Sequence, residues 1–141
     1  MAQLRGSECV GNILVLTADA SLVQVSGAEA LCIDKPNGSS AVRAVADALQ
    51  SDYALVCLKP VGLTFVRKSI ERMLGVMTAS EAEMLYSDRY LVKEGVAGKC
   101  PAIDYQLGSV RNDFDFGPVA LYSGKALKDF AAEAELHSWP G

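Results

Sequence analysis

Soft metal ligands are scarce in this chain. Four cysteines stand apart at positions 9, 32, 57 and 100, and the single histidine is His137. Without a Cys-x-x-Cys pair or a second imidazole, no zinc-site spacing exists. A Ser-His-Asp or Cys-His centre is equally short of material. Cys32 and Cys57 lie inside apolar runs, where cysteine behaves as a small hydrophobe. Glycine-rich phosphate loops are missing too, since neither Gly-x-x-x-x-Gly-Lys nor Gly-x-Gly-x-x-Gly occurs. That removes support for a nucleoside triphosphatase or a dinucleotide dehydrogenase. There is no basic excess. With a net charge of -4 and a pI near 4.9, the chain lacks the positive field that nucleic acid or anionic lipid would require. No apolar run approaches the roughly 20 residues needed to span a bilayer, and no basic segment followed by an apolar signal core opens the chain. The cytoplasm is the expected compartment. Repeats and low-complexity linkers are absent.

What is present suits one globular domain over residues 1–141. Half of the residues are hydrophobic and 21% are charged, an ordinary folded composition. A chain of this length should bury roughly two thirds of its unfolded surface.

Strands and helices alternate along it. Asn12 to Leu16 and Ala30 to Ile33 are short apolar runs of the kind that form strands buried on both faces. Leu22 to Val25 is expected as a short hairpin arm between them. Asp34-Lys35-Pro36-Asn37-Gly38 marks a turn, and Ser39 or Ser40 caps an expected helix whose apolar face is Val42, Val45, Ala46 and Leu49. Tyr53 to Leu58 is a third strand, stopped at Lys59-Pro60. Gly62 opens an expected longer helix through Met77, interrupted at Thr78-Ala79-Ser80. Ala82 to Tyr86 is a fourth strand. Leu91-Val92-Lys93 and Lys99-Cys100 flank a glycine-bracketed hairpin signal. Pro118 to Tyr122 is the last strand, and Ser123 caps a helix from Lys125 to Leu136.

This alternation predicts an α/β fold with a mostly parallel sheet and helices on its faces. Ligands of such folds bind beyond the carboxyl ends of the strands, where Asp19, Asp34, Lys59 and Asp88 would converge on one rim. Carboxylates on a rim can hold a hard divalent cation together with phosphate oxygens. Equally, aspartates in such positions cap turns and helix starts. Asp113-Phe114-Asp115 has the form of an Asp-x-Asp clamp. In an extended segment its two carboxylates share one face while Phe114 and Phe116 share the other, and the carboxylates can instead form salt bridges with Arg111 or Arg89.

Two segments resemble a known family. Met84-Leu85-Tyr86-Ser87-Asp88-Arg89-Tyr90 and the run from Ile103 to Pro118, Ile-Asp-Tyr-Gln-Leu-Gly-Ser-Val-Arg-Asn-Asp-Phe-Asp-Phe-Gly-Pro, resemble a bacteroidete-type branch of the family-2 glycosyltransferases. Ser40 to Arg43 and Asp52 to Val56 extend the resemblance, which covers roughly residues 12 to 130. It implies a three-layer Rossmann-like nucleotide-diphosphosugar transferase fold, an activated sugar donor, a glycan or lipid-linked acceptor, and Mg²⁺ or Mn²⁺. Carried over by position, Asp34 would sit near the donor base, Arg43 near the diphosphate, and Asp88 in the sugar or acceptor region. Asp113 and Asp115 would then be catalytic candidates lining that pocket. The chain departs from the family where a metal-binding Asp-x-Asp should follow the Tyr53 strand, because Leu58-Lys59-Pro60 stands there. Lys59 could neutralise a diphosphate without metal, as a point charge. The resulting expectation is the N-terminal, donor-side part of a hexosyltransferase-like enzyme, with no nucleic-acid partner and no membrane span. The alternative is a non-catalytic module on the same fold, self-associating through Phe114 to Tyr122 as a homo-oligomer.

Overall fold

The computed structural model describes residues 2–23, 26–35, 38–104, 106, 108 and 114–133. Among the described residues seven strands fall into three separate sheets. β1 (Leu14–Thr17) pairs in parallel with β2 (Glu29–Cys32), from Leu14 against Glu29 to Thr17 against Cys32. β3 (Tyr53–Cys57), β4 (Met84–Leu85) and β7 (Val119–Ser123) form a second sheet in the order β3-β7-β4. β5 (Arg89–Lys93) and β6 (Val96–Cys100) form an antiparallel hairpin. The helices are α1 (Ala2–Arg5), α2 (Ser39–Ala48), α3 (Ser69–Ser80) and α4 (Gly124–Ala132), with a 3-10 turn at Ala20–Leu22.

The mostly parallel, three-layer Rossmann-like sheet expected from the alternation is not what forms. One short parallel pair is joined by two small antiparallel sheets. The cause lies in β7, the most buried strand, with Ala120, Leu121 and Tyr122 at 0%, 2% and 3% exposure. It inserts between β3 and β4 and runs antiparallel to both. β3 and β4 are therefore parallel to each other, as a strand-helix-strand crossover through α3 requires, but they are not neighbours. Alternation reads direction well and adjacency poorly.

The core forms where α2 and α4 meet β7. Ala41, Val42, Val45 and Ala46 line one face of α2, and Val42 clusters with Ala120, Tyr122 and Leu127. Fully burying a side chain of this size contributes about 1.5–3 kcal/mol. Helix α2 begins at Ser39 behind Gly38, which supplies no side-chain cap. Ser123 does cap α4, its Oγ accepting from Ala126 N–H at 3.1 Å. The expected tail of α4 at residues 134–136 lies outside the described residues.

Residues 62–68 are not helical. Leu63 and Phe65 are half-buried while Thr64 and Val66 are exposed, a two-residue period that belongs to extended chain. Lys68 is left-handed (φ 60°) immediately before α3, and the helix then runs on through Ser80 without interruption. At the hairpin tip Glu94 and Gly95 both have positive φ, 50° and 81°, as a two-residue type I′ turn demands. The expected glycine-bracketed hairpin therefore forms, with Val96, Ala97 and Gly98 paired in β6. Where a hairpin arm was expected at Leu22 to Val25, Ala20–Leu22 forms the 3-10 turn, and residues 24 and 25 lie outside the described set. Among the described residues no helix is long and apolar enough to cross a membrane.

Candidate functional site

Because β3 and β4 are parallel, both end at the same edge of their sheet, and the antiparallel β7 begins there. Three segments meet at that edge: Leu58-Lys59 leaving β3, Tyr86 to Arg89 leaving β4, and Phe114 to Pro118 entering β7. Leu58 N–H donates to Pro118 O at 2.8 Å, continuing the β3-β7 ladder and drawing Lys59 alongside Asp115.

Asp115 is the hub. Its Oδ1 accepts from Lys59 Nζ at 2.7 Å and from Gly117 N–H at 2.8 Å, while its Oδ2 lies 3.3 Å from Arg89 Nη2. The Lys59 hydrogen bond, then the Gly117 amide, hold its carboxyl below the usual range despite a small opposing effect of burial. The side chain remains half exposed, so these are solvent-facing ion pairs of modest strength. Gly117 is buried with φ +94°, and a Cβ built on it would lie 3.0 Å from Arg89 Nη1. The absence of a side chain there lets the guanidinium lie against the backbone.

On the other side of the same segment stand three aromatic rings. Tyr86 meets Phe116 at 5.0 Å and Phe114 at 6.1 Å between centroids, and Phe114 meets Phe116 at 4.6 Å, all edge to face. Tyr86 Oη donates to Ile103 O at 2.7 Å. The expected alternation along Phe114-Asp115-Phe116 is therefore present, rings on one side and the carboxylate on the other.

The remaining candidates take separate places. Asp88 Oδ1 accepts from Ala102 N–H at 2.7 Å, clasping the segment after β6 to the exit of β4. Asp19 accepts from both the amide and the hydroxyl of Ser21, capping the 3-10 turn, and these bonds lower its pKa. Arg43 Nε donates to Ala131 O at 3.1 Å, tying α2 to α4. Asp34 is exposed just after β2. Neither Asp34 nor Arg43 is joined to the Lys59 cluster by a hydrogen bond or ion pair among the described residues. Asp113 lies outside the described residues. Asp19 and Asp34 follow β1 and β2, which form a sheet separate from the one that Lys59 and Asp88 leave, while Lys59, Asp88, Arg89 and Asp115 share one edge. Arg89 and Gly117 are the members that sequence reasoning undervalued. The Gly-Pro step directly before a buried strand was the available signal for Gly117.

Among the described residues no three acidic, histidine or cysteine side chains gather, and the one central carboxylate is covered by an ammonium and a guanidinium. A shallow depression of about 500 Å³ lies at the opposite edge of the sheet, between Tyr53 and Lys128. In its lining Gly124 N–H donates to Asp52 O. No family model, curated protein or solved structure gives a significant match to the chain.

Proposed function

We propose that the chain is a donor-binding, glycosyltransferase-like domain, and that the edge formed by Lys59 and Arg89 receives the diphosphate of a nucleotide-diphosphosugar. The observation that carries this reading is the convergence of the two cations, from separate elements, on one exposed carboxylate. Both cations stand at the end of the sheet where β3 and β4 run out and β7 begins. A guanidinium offers paired donors to phosphate oxygens and an ammonium adds a point charge, so diphosphate can be neutralised without a metal. The half-buried rings of Tyr86, Phe114 and Phe116 beside the cations offer an apolar wall for a sugar or base. In the reaction this implies, an acceptor hydroxyl displaces the nucleoside diphosphate, with Lys59 and Arg89 stabilising the charge on the leaving group. Asp115 is a poor candidate for the general base, because its ion pairs favour the ionised form and weaken it as a proton acceptor.

Calorimetric titration with nucleoside diphosphates and nucleotide sugars, with and without Mn²⁺, tests the reading. Binding that does not require Mn²⁺ is expected. A folded sample that takes up none of these ligands overturns it.

A second reading, self-association with another copy of the chain, draws on a different observation. The β5-β6 hairpin exposes Tyr90, Leu91, Val92 and Val96, and among the described residues it pairs with no third strand. Both edges of β7 are occupied, so strand addition by a second copy would use an outer strand such as those of the hairpin instead of β7. Sedimentation of the wild type against Val92→Lys separates this reading from a monomeric binding domain.

A further inference from the structure

Resting on the donor-site reading, we propose that Asp115 is the internal occupant of the diphosphate subsite, a carboxylate that the ligand must displace before Lys59 and Arg89 can bind it. Three features of the edge lead there. First, Asp115 takes the cationic donors an incoming phosphate would use, Lys59 Nζ on one oxygen and Arg89 Nη2 on the other. It adds the Gly117 amide, and so presents the hydrogen-bond pattern of a bound oxyanion. Second, among the described residues charge at the edge is balanced while the carboxylate is in place. Lys59 and Arg89 face Asp115, and Asp88 adjoins Arg89 in the chain. Asp88 is held on Ala102 N–H, so among the described residues it is Asp115 whose departure frees both cations for a ligand. Third, departure is easy. Asp115 is half exposed, its ring-bearing neighbours Phe114 and Phe116 anchor the segment on the other side, and leaving the cations breaks only solvent-facing contacts of modest strength. The contact therefore acts as a self-competing gate: a weakly bound anion loses to Asp115, while a multivalent diphosphate that reaches both cations displaces it.

The test uses the whole chain and inorganic pyrophosphate as probe, alongside a nucleoside diphosphate. Asp115→Asn keeps an acceptor for Gly117 N–H and Lys59 while removing the charge. Asp115→Ser removes both charge and reach, and so guards against a new contact made by the amide. With circular dichroism establishing that each protein is folded, both variants should bind pyrophosphate at least about tenfold more tightly than the wild type at low salt. The gain should shrink as salt is raised. Tighter binding by both variants supports the proposal. Unchanged or weaker binding by both, while Lys59→Ala still abolishes wild-type binding, overturns the gate and leaves the donor site standing. No binding by the wild type or by either variant removes the donor site, and the gate with it.

Discussion

Lys59 Nζ lies 2.7 Å from Asp115 Oδ1, a contact made across 56 residues of chain. It joins the exit of β3 to the entry of β7, and through Arg89 the same carboxylate reaches the start of β5. One side chain thus ties together the three segments that meet at the sheet edge.

Acid should release that tie. The native pKa of Asp115 lies below its ordinary 3.8 because Lys59, Gly117 and Arg89 favour the carboxylate. A depressed pKa contributes stability that is present above the unfolded value and lost as pH falls through the native one. Asp115→Asn should therefore be less stable than the wild type at pH 7 by no more than about 1 kcal/mol, since the pairs are exposed. The difference should begin to shrink as pH falls below about 3.8 and vanish only once pH has passed the lower native value. Thermal melts of both proteins from pH 3 to 7 check this.

Gly117→Ala should be more harmful than its single methyl suggests. At φ +94° an alanine is strained, and its Cβ would stand 3.0 Å from Arg89 Nη1. A loss of more than about 1 kcal/mol is expected, together with weakened pyrophosphate binding as the guanidinium is pushed aside. Urea denaturation followed by titration reads both effects.

Helix α3 offers a matched pair of neighbours. Met77 is 1% exposed and Val76 is 52% exposed. Met77→Ala should cost about 2–5 kcal/mol, while Val76→Ala should change stability by no more than about 0.5 kcal/mol. Chemical denaturation of the two variants distinguishes a packed face from a solvated one.

Asp88 is expected to act through the backbone. Its 2.7 Å bond to Ala102 N–H holds the segment that leaves β6, and Asp88→Ala removes that acceptor. Faster hydrogen exchange at the Ala102 amide is expected, with the β3-β7 amides unchanged. Exchange measured by nuclear magnetic resonance gives both rates in one experiment.

The elements themselves were largely readable. The apolar face of α2, the Ser123 cap and the strand expected over Tyr53 to Leu58, observed as Tyr53–Cys57, follow from local periodicity and capping chemistry. Sheet adjacency was not, because nothing local tells β7 to insert between two strands that a helix already links. The helix expected from Gly62 failed for a related reason. Leu63 and Phe65 alternate with period two, but a few apolar residues also fit a helical count when the window is extended to Ile70 and Met77. At the site, the opposite faces of Asp115 and its flanking phenylalanines followed from strand geometry, as did a possible Arg89 partner. The placement of Lys59 against Asp115 depended on strand insertion and could not be read locally.

The donor-site account is tested most directly by titrating a nucleoside diphosphate into the wild type, Lys59→Ala and Arg89→Ala under one low-salt condition. The account predicts measurable wild-type binding that falls at least about tenfold in each variant, a loss of about 1.4 kcal/mol or more. Binding of equal strength in all three folded proteins, or none in the wild type, would contradict it.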